Sequence, residues 1–151
     1  MHAKDIMVSH VYKVKENDTV RSVISKFIEN QISGLPIVND SNEIVGFISD
    51  GDILRYIGKH DDHIVDSFYY AFVIKGDQEE FEERIKRILN LNVMEIAKRK
   101  VFTVSFEEDI ENIAAFLGKK QIKKVPVEKN GVLAGIISRG DVIRNSFKAL
   151  V

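Results

Sequence analysis

The sequence contains no cysteine, so disulfide bonds and thiolate metal sites are excluded. It also has no run of about 18 apolar residues, which is the length that a membrane-spanning helix requires. Neither sign of charge predominates, because 22 lysines and arginines face 23 aspartates and glutamates, a formal net charge of -1. A general nucleic-acid binder normally carries a basic excess, so nucleic acid is not expected as a partner.

The N-terminus runs quickly into charged residues and has no apolar segment typical of a signal peptide. With no membrane segment either, we expect a soluble protein of the cytoplasm. Its 44% hydrophobic residues are enough for a packed core, and 151 residues suit one ordinary domain or two very small ones.

A repeat is visible along the chain. Residues 46–55 read GFISDGDILR and residues 135–144 read GIISRGDVIR, so six of ten positions are identical and three more are apolar in both. The two prolines, Pro36 and Pro126, stand ten and nine residues before the glycines that open these segments. Two copies of one unit are therefore predicted.

Each copy has the same order of predicted elements: an extended segment, an amphipathic helix, two strands joined by a polar turn, and a second helix. Proline in the first of these two strands indicates a strand start or edge, and Gly58 is expected to end the second helix of the first copy. The apolar stripes of the first helices are Val20, Val23, Ile24, Phe27 and Ile28 in one copy and Ile110, Ile113, Ala114 and Leu117 in the other.

Residues 59–91 have no counterpart in the second copy, so the chain divides into a repeat at 1–58, this insert and a repeat at 92–151. Within the insert, 77–91 has helical spacing and predicts a linker helix that covers part of the core; alternatively, its apolar stripe meets a partner chain. The aromatic cluster at 68–72 is more typical of a core or an interface than of a base-stacking surface. The run at 59–63 holds two histidines but no third strong anchor, so no metal site is predicted.

Copies of this size bury too little surface to be stable alone. We therefore expect an α/β (α+β) fold in which two units pack together with pseudo-twofold symmetry. Such packing creates two equivalent clefts between the units.

The corner Ser49-Asp50-Gly51-Asp52 and its copy Ser138-Arg139-Gly140-Asp141 carry the clearest chemical pattern. A strand that ends at a helix start presents free amides to a phosphate. A serine hydroxyl can donate to the same phosphate, and a carboxylate three residues later can accept from ribose hydroxyls. Each residue alone is also a common helix cap, so binding and capping both remain open.

Each copy also begins with an apolar residue followed by methionine, Ile6-Met7 in the first and Val93-Met94 in the second. Taken together, these pairs, the proline strand and the Ser-x-x-Asp corner resemble a CBS domain in both copies. The resemblance implies tandem β-α-β-β-α units whose clefts bind AMP, ADP, ATP or S-adenosylmethionine as regulatory ligands. It further implies a homodimer that signals to an unknown effector protein, with no catalytic residue and no required cofactor.

Carried over by position, the resemblance assigns the ribose to Asp52 and Asp141 and the phosphate region to Ser49 and Ser138. The remaining expected contacts are with the base. The backbone would contribute at Tyr12, Lys13, Phe102 and Thr103 on the first strands, and the pocket would be lined by Ser33, Gly34, Leu35, Pro36, Lys124, Val125 and Pro126.

The sequence departs from the family at the residue before each aspartate, which is often basic and here is Gly51 or Gly140. Arg139 could compensate in the second copy, whereas Asp50 in the first would repel an anion. The second copy also has Lys123-Lys124 where the first has Ser33-Gly34. On this basis we expect the second cleft to favour phosphorylated ligands more than the first.

Three other classes of function stay open at this point. An enzyme is disfavoured because the sequence has no Ser-His-Asp order, no Walker loop and no convincing metal set. A nucleic-acid binder is disfavoured by the balanced charge. A third alternative is a scaffold whose clefts are empty, because Gly51 and Gly140 leave both corners without the usual basic residue.

Overall fold

The structure is a computed structural model that describes residues 1–59, 63–66, 71–74, 80–120 and 122–151; for 63–66 and 71–74 it gives the backbone. The side chains of the aromatic cluster at 68–72 and of the two histidines in the run at 59–63 lie outside this description. The elements in chain order are α1 (Ala3–Ile6), β1 (Val14–Lys15), α2 (Val20–Asn30), β2 (Gly34–Val38), β3 (Ile44–Ser49), α3 (Asp50–Ile57), β4 (His63–Asp66), β5 (Ala71–Ile74), α4 (Phe81–Leu89), a 3₁₀ helix (Val93–Glu95), β6 (Val104–Ser105), α5 (Ile110–Lys120), β7 (Lys124–Lys129), β8 (Val132–Ser138) and α6 (Arg139–Phe147).

The predicted duplication is confirmed by two three-stranded sheets of the same topology. In the orders β1-β2-β3 and β6-β7-β8, the first pair of strands is parallel and the second antiparallel. The register is also repeated, because both antiparallel pairs shift directly after equivalent residues, Ile37 and Val127. The chain is thus a mixed α and β fold built from two related units, and the β4–β5 hairpin lies between them in the sequence.

Proline is compatible with the middle strands of these sheets because β1 and β6 are short. Pro36 pairs with Phe47 on β3, but β1 pairs only with the two residues after it, Ile37 and Val38. On that side Pro36 is at a local edge, where no ladder requires its missing amide.

The amphipathic helices form as predicted, with narrower apolar stripes. Val20 and Val23 are buried in α2, and Ile113 and Leu117 in α5, each packing on the sheet of its own copy. The prediction for Ile28 is wrong, since this residue is 73% exposed. Ile28 lies at the edge of the apolar stripe, in the last turn of α2. In α5, Ala114 of the predicted stripe is exposed as well.

The insert contributes a helix to the first unit. α4 begins at Phe81, packs against α2 and α3, and buries Ile88 in the first core. Its role as a cover for part of the core is therefore confirmed. No helix in the described part of the chain is both long enough and apolar enough to cross a membrane.

The two units exchange their first segments. Residues 1–8 pack on the second unit: Ala3 and Ile6 belong to its core, and Val8 pairs with Ile136 on β8 through bonds of 2.9 and 3.0 Å. Residues 92–98 pack on the first unit in the equivalent way: Val93 lies in its core, and Lys98 pairs with Phe47.

Each unit in space therefore contains a segment that precedes the other repeat in sequence. The division of the chain at 58 and 91 stays a prediction about the sequence. The cores themselves combine residues from both sides of those boundaries.

Candidate functional site

Two clefts lie between the units, each formed by one strand-to-helix corner and one crossing segment. The first cleft, of about 380 Å³, lies between the corner Ser49–Gly51 and the segment Lys98–Phe102 that leads into β6. The second, of about 230 Å³, lies between Ser138 with Asp141 and the segment Val8–Tyr12 that leads into β1. Ligand pockets in proteins typically measure about 300–1,000 Å³, so the first cleft has the size of a binding site.

Pseudo-twofold symmetry is visible in what the clefts share. Gly34 at the start of β2 and Lys124 at the start of β7 are equivalent residues, and both line both clefts. The contact between units is reinforced by Asn42, whose amide Nδ2 donates to the Leu133 carbonyl while its own carbonyl accepts from the Leu133 amide.

Each cleft contains an exposed aromatic ring on its crossing segment. Phe102 is 42% exposed and Tyr12, its equivalent, is 37% exposed. Edge-to-face contacts hold both rings, with Phe116 at 5.7 Å from Phe102 and His10 at 5.2 Å from Tyr12, measured between ring centroids. A planar ring held at the side of a cleft is a surface on which a nucleobase can stack.

The two aspartates of the corners close capping boxes on their helices. Oδ2 of Asp52 accepts from the amide of Ser49 at 2.9 Å, and Oδ2 of Asp141 accepts from the amide of Ser138 at 2.8 Å. Asp52 is 6% exposed, so this bond also satisfies a buried carboxylate. The capping interpretation of the corner is therefore confirmed, and any ligand contact has to coexist with it.

An arginine one turn later pairs with the other oxygen of each aspartate. Arg55 donates through Nη2 to Oδ1 of Asp52, and Arg144 donates to Oδ1 of Asp141 at 2.9 Å. The glycines before the aspartates give these guanidinium groups room. A Cβ at Gly140 would lie 2.9 Å from Nη1 of Arg144, and a Cβ at Gly51 would lie 3.3 Å from Nη1 of Arg55.

The sequence pattern of the CBS domain matches residues 3–59 and 93–148, which is most of the chain. The chain belongs to the CBS domain family.

Some relatives of this CBS domain protein have a similar length, and others are longer. The uncharacterized protein MJ1426 of Methanocaldococcus jannaschii is 33% identical, over 95% of this chain and 89% of its own length. Other curated relatives are longer, and this chain spans 41% of MJ1225 from the same organism and 58% of the chloroplastic protein CBSX2 of Arabidopsis thaliana.

Solved structures of CBS proteins have the same fold. The crystal structure of CBSX2 in complex with AMP superposes with a TM-score of 0.76 at 24% identity, covering 99% of each chain. That of MJ1225, a proposed archaeal homologue of γ-AMPK, gives 0.74 at 21% identity and covers 96% of this chain and 47% of the other. At these identities the likeness shows the fold.

The structure brings most of the expected site residues of the CBS pair to the clefts. The first cleft is lined by Ser33, Gly34, Ser49, Phe102, Lys124 and Pro126. The second is lined by Tyr12, Gly34, Lys124, Ser138 and Asp141. Asp52 lies directly behind Arg55 and does not itself line the first cleft.

Other expected residues are placed away from the clefts. The side chains of Leu35 and Val125 are fully buried in the two cores, and Pro36, on the opposite face of β2 from Leu35, is also buried. Thr103 lines neither cleft, and Lys13 donates to Asn42 at the contact between the units.

Arg139 does not reach a cleft either, contrary to the expectation that it would replace a phosphate partner. Its guanidinium donates to the carbonyls of Leu117 and Ile122 at 3.1 and 2.9 Å and so closes the C-terminal end of α5. The lysines gather in the first cleft instead. The expected preference of the second cleft for phosphorylated ligands thus loses Arg139, and Lys123, on which it also rested, lines the first cleft.

Several cleft residues were missed by reasoning from the sequence, chiefly Arg55, Lys98 and Lys100 in the first cleft. In the sequence, Lys98 and Lys100 belong to the basic run 98–100, which by itself is more typical of a solvated face than of a binding site. In the described part of the chain, no group of three histidine, aspartate or glutamate side chains is placed to hold a metal ion.

Proposed function

We propose that this CBS domain protein is a regulatory module that binds an adenosine nucleotide (AMP, ADP or ATP) between its two units and signals to a partner protein. The observation that carries the proposal is that each cleft has an exposed ring, Phe102 or Tyr12, beside a serine corner at a helix start. The ring can stack on a purine, and the corner offers a hydroxyl and helix amides to a phosphate.

The comparison with solved structures supports the choice of nucleotide. CBSX2, which has this fold, was crystallised with AMP, so the fold is able to hold that ligand. S-adenosylmethionine, which the family resemblance also implied, has no such support and enters only as an arm of the test.

The regulatory mechanism that we propose is a shift between arrangements of the two units. Both clefts are lined by the crossing segments, so a ligand in a cleft contacts both units at once. Ribose hydroxyls that bind Asp52 have to share or displace Arg55, which changes the corner of the first unit. A ligand that binds one arrangement more tightly shifts the population toward it.

Ligand-dependent thermal unfolding tests this function. Adenosine, AMP, ADP, ATP, S-adenosylmethionine and GMP are each added at millimolar concentration. A nucleotide present at 100 times its Kd stabilises by about 2.7 kcal/mol, which raises Tm by roughly 5–10 °C in a protein of this size. The variant Phe102→Ala should reduce the shift, and Phe147→Ala, at a 52% exposed residue outside both clefts, should not.

The absence of any shift with all adenosine compounds would reject the sensor function. It would favour the second candidate, a scaffold with empty clefts, which has one observation in its support. Asp52 and Asp141 already have hydrogen-bonding partners for both carboxylate oxygens without any ligand.

We also propose that the assembly is a homodimer. Leu54 on α3 and Ile143 on α6 occupy equivalent positions of the two units and are 60% and 57% exposed. Because a pseudo-twofold pair of apolar side chains suits a self-complementary contact, we expect a second copy to cover them. Sedimentation should give a dimer that Leu54→Glu dissociates; a monomeric wild type would refute it. The location in the cytoplasm and the effector stay predictions.

A further inference from the structure

The charges of the two clefts differ far more than their shapes. Five basic side chains line the first cleft against one carboxylate, Asp50. The second cleft is lined by a single lysine, Lys124, which it shares with the first, and by Asp141. The basic residues of the first cleft are Arg55, Lys98, Lys100, Lys123 and Lys124.

This difference arises at equivalent positions of the pseudo-symmetric structure. Lys98 pairs with Phe47 as Val8 pairs with Ile136, so these two residues correspond, and two positions later Lys100 corresponds to His10. The crossing segment that forms the first cleft therefore carries two lysines where the other carries valine and histidine.

Most of this positive charge is not neutralised within the protein. Among the described residues, no carboxylate is within ion-pair distance of Lys100, Lys123 or Lys124, whereas Arg55 and Lys98 share Asp52. Asp50 turns one oxygen to the amide of Gly51 at 2.7 Å. A cleft with several unpaired cations on facing segments has a positive potential that attracts and holds a polyanion.

Arg55 supplies a cation to the corner Ser49–Asp52, which contains no basic residue itself. Position 51 is glycine, and the guanidinium of Arg55 lies over it and lines the cleft. The equivalent Arg144 pairs with Asp141 but does not line the second cleft.

We propose that the first cleft is a polyphosphate site that takes ligands with two or more phosphates, while the second takes a nucleoside or a monophosphate. The proposal refines the function proposed above, since it assigns ADP or ATP to one cleft. It rests on the charges of the lining alone, so inorganic tripolyphosphate tests it independently of any nucleoside.

Calorimetric titration of the full chain with adenosine, AMP, ATP and tripolyphosphate, at two salt concentrations, tests the assignment. The double variant Lys100→Ala/Lys123→Ala removes two exposed cations of the first cleft. Its matched control is Lys119→Ala/Lys148→Ala, which removes the same charge from exposed positions outside both clefts.

We expect the double variant to weaken ATP and tripolyphosphate by about tenfold or more, to flatten their salt dependence, and to leave adenosine within about twofold. Equal weakening in the control variant, or no binding of ATP and tripolyphosphate to the wild type, would overturn the polyphosphate site. Binding of tripolyphosphate without any adenosine compound would reject the nucleotide function and leave the polyphosphate site standing.

Discussion

The substitution Gly135→Ala tests the exchange of segments between the units. Gly135 lies on β8, and the N-terminal segment crosses directly over it. A Cβ at this position would meet Met7 at its Sδ, Cγ and Cβ atoms, at 2.5, 2.8 and 3.0 Å. Real contacts of a Cβ are longer, and because the Cβ of Met7 is among the atoms, a new rotamer alone does not relieve the clash.

The expected cost follows from the kind of contact. Overpacking of a core by one methyl group destabilises by about 1–3 kcal/mol, offset by roughly 0.5–1 kcal/mol because alanine loses less backbone entropy than glycine. We therefore expect the free energy of unfolding to fall by up to about 2.5 kcal/mol and Tm to fall by up to roughly 10 °C.

A second glycine provides the matched control. Gly118 lies inside α5, and a Cβ there meets nothing within 4 Å, so Gly118→Ala should stabilise the protein by roughly 0.5–1 kcal/mol. Both variants add the same methyl group, so the difference between their free energies of unfolding reports on contacts in the folded structure. In a double-mutant cycle, Met7→Ala should reduce the penalty of Gly135→Ala, since it removes the two nearest atoms.

Denaturation by urea, followed by circular dichroism, measures the free energy of unfolding of the wild type and the four variants. If Gly135→Ala is as stable as Gly118→Ala, Met7 does not lie on β8. The exchange of the first segments would then be wrong. A penalty that Met7→Ala leaves unchanged would contradict the same contact.

Two further changes probe the corner and the exchanged segment. Asp52→Ala removes the capping box and leaves Arg55 unpaired, so urea denaturation should show that the free energy of unfolding falls by about 1–2 kcal/mol. Asp40→Ala, at a 97% exposed side chain, is the control and should change it by less than about 0.5 kcal/mol. Equal losses in the two variants would contradict the cap. Ile6→Ala should destabilise by about 2–5 kcal/mol because Ile6 is buried in the second core, and Ile28→Ala should be nearly neutral; a neutral Ile6→Ala would place 1–8 outside that core.

Local patterns were enough to predict the fold of each unit. The spacing of Val20 and Val23 and the position of Gly58 depend on neighbours along the chain, and both were correctly interpreted. The exchange of segments was not predictable in this way. The residues before each copy are apolar in the same pattern, so either segment could pack on either sheet, and only the tertiary structure decides.

The candidate site was predicted best where its residues belong to a corner. Ser49 and Ser138 follow from the strand-to-helix pattern of their own repeat. Lys98 and Lys100 could not be found that way, because they reach the first cleft from the other repeat. Arg139 was misjudged since its side chain has a carbonyl partner at the end of α5, a contact that spans 17–22 residues and leaves no local signal.

The exchange of segments also sets an order on biosynthesis. Ala3 and Ile6 are made more than 100 residues before the helix and the strand that bury them, which include Ile113 and Ile137. The first unit likewise waits for Val93 before its core is complete. Neither unit can therefore finish folding while the chain is half made. Contacts this distant in sequence slow folding, and until β8 is made the side chains of Ala3 and Ile6 have no complete core in which to pack.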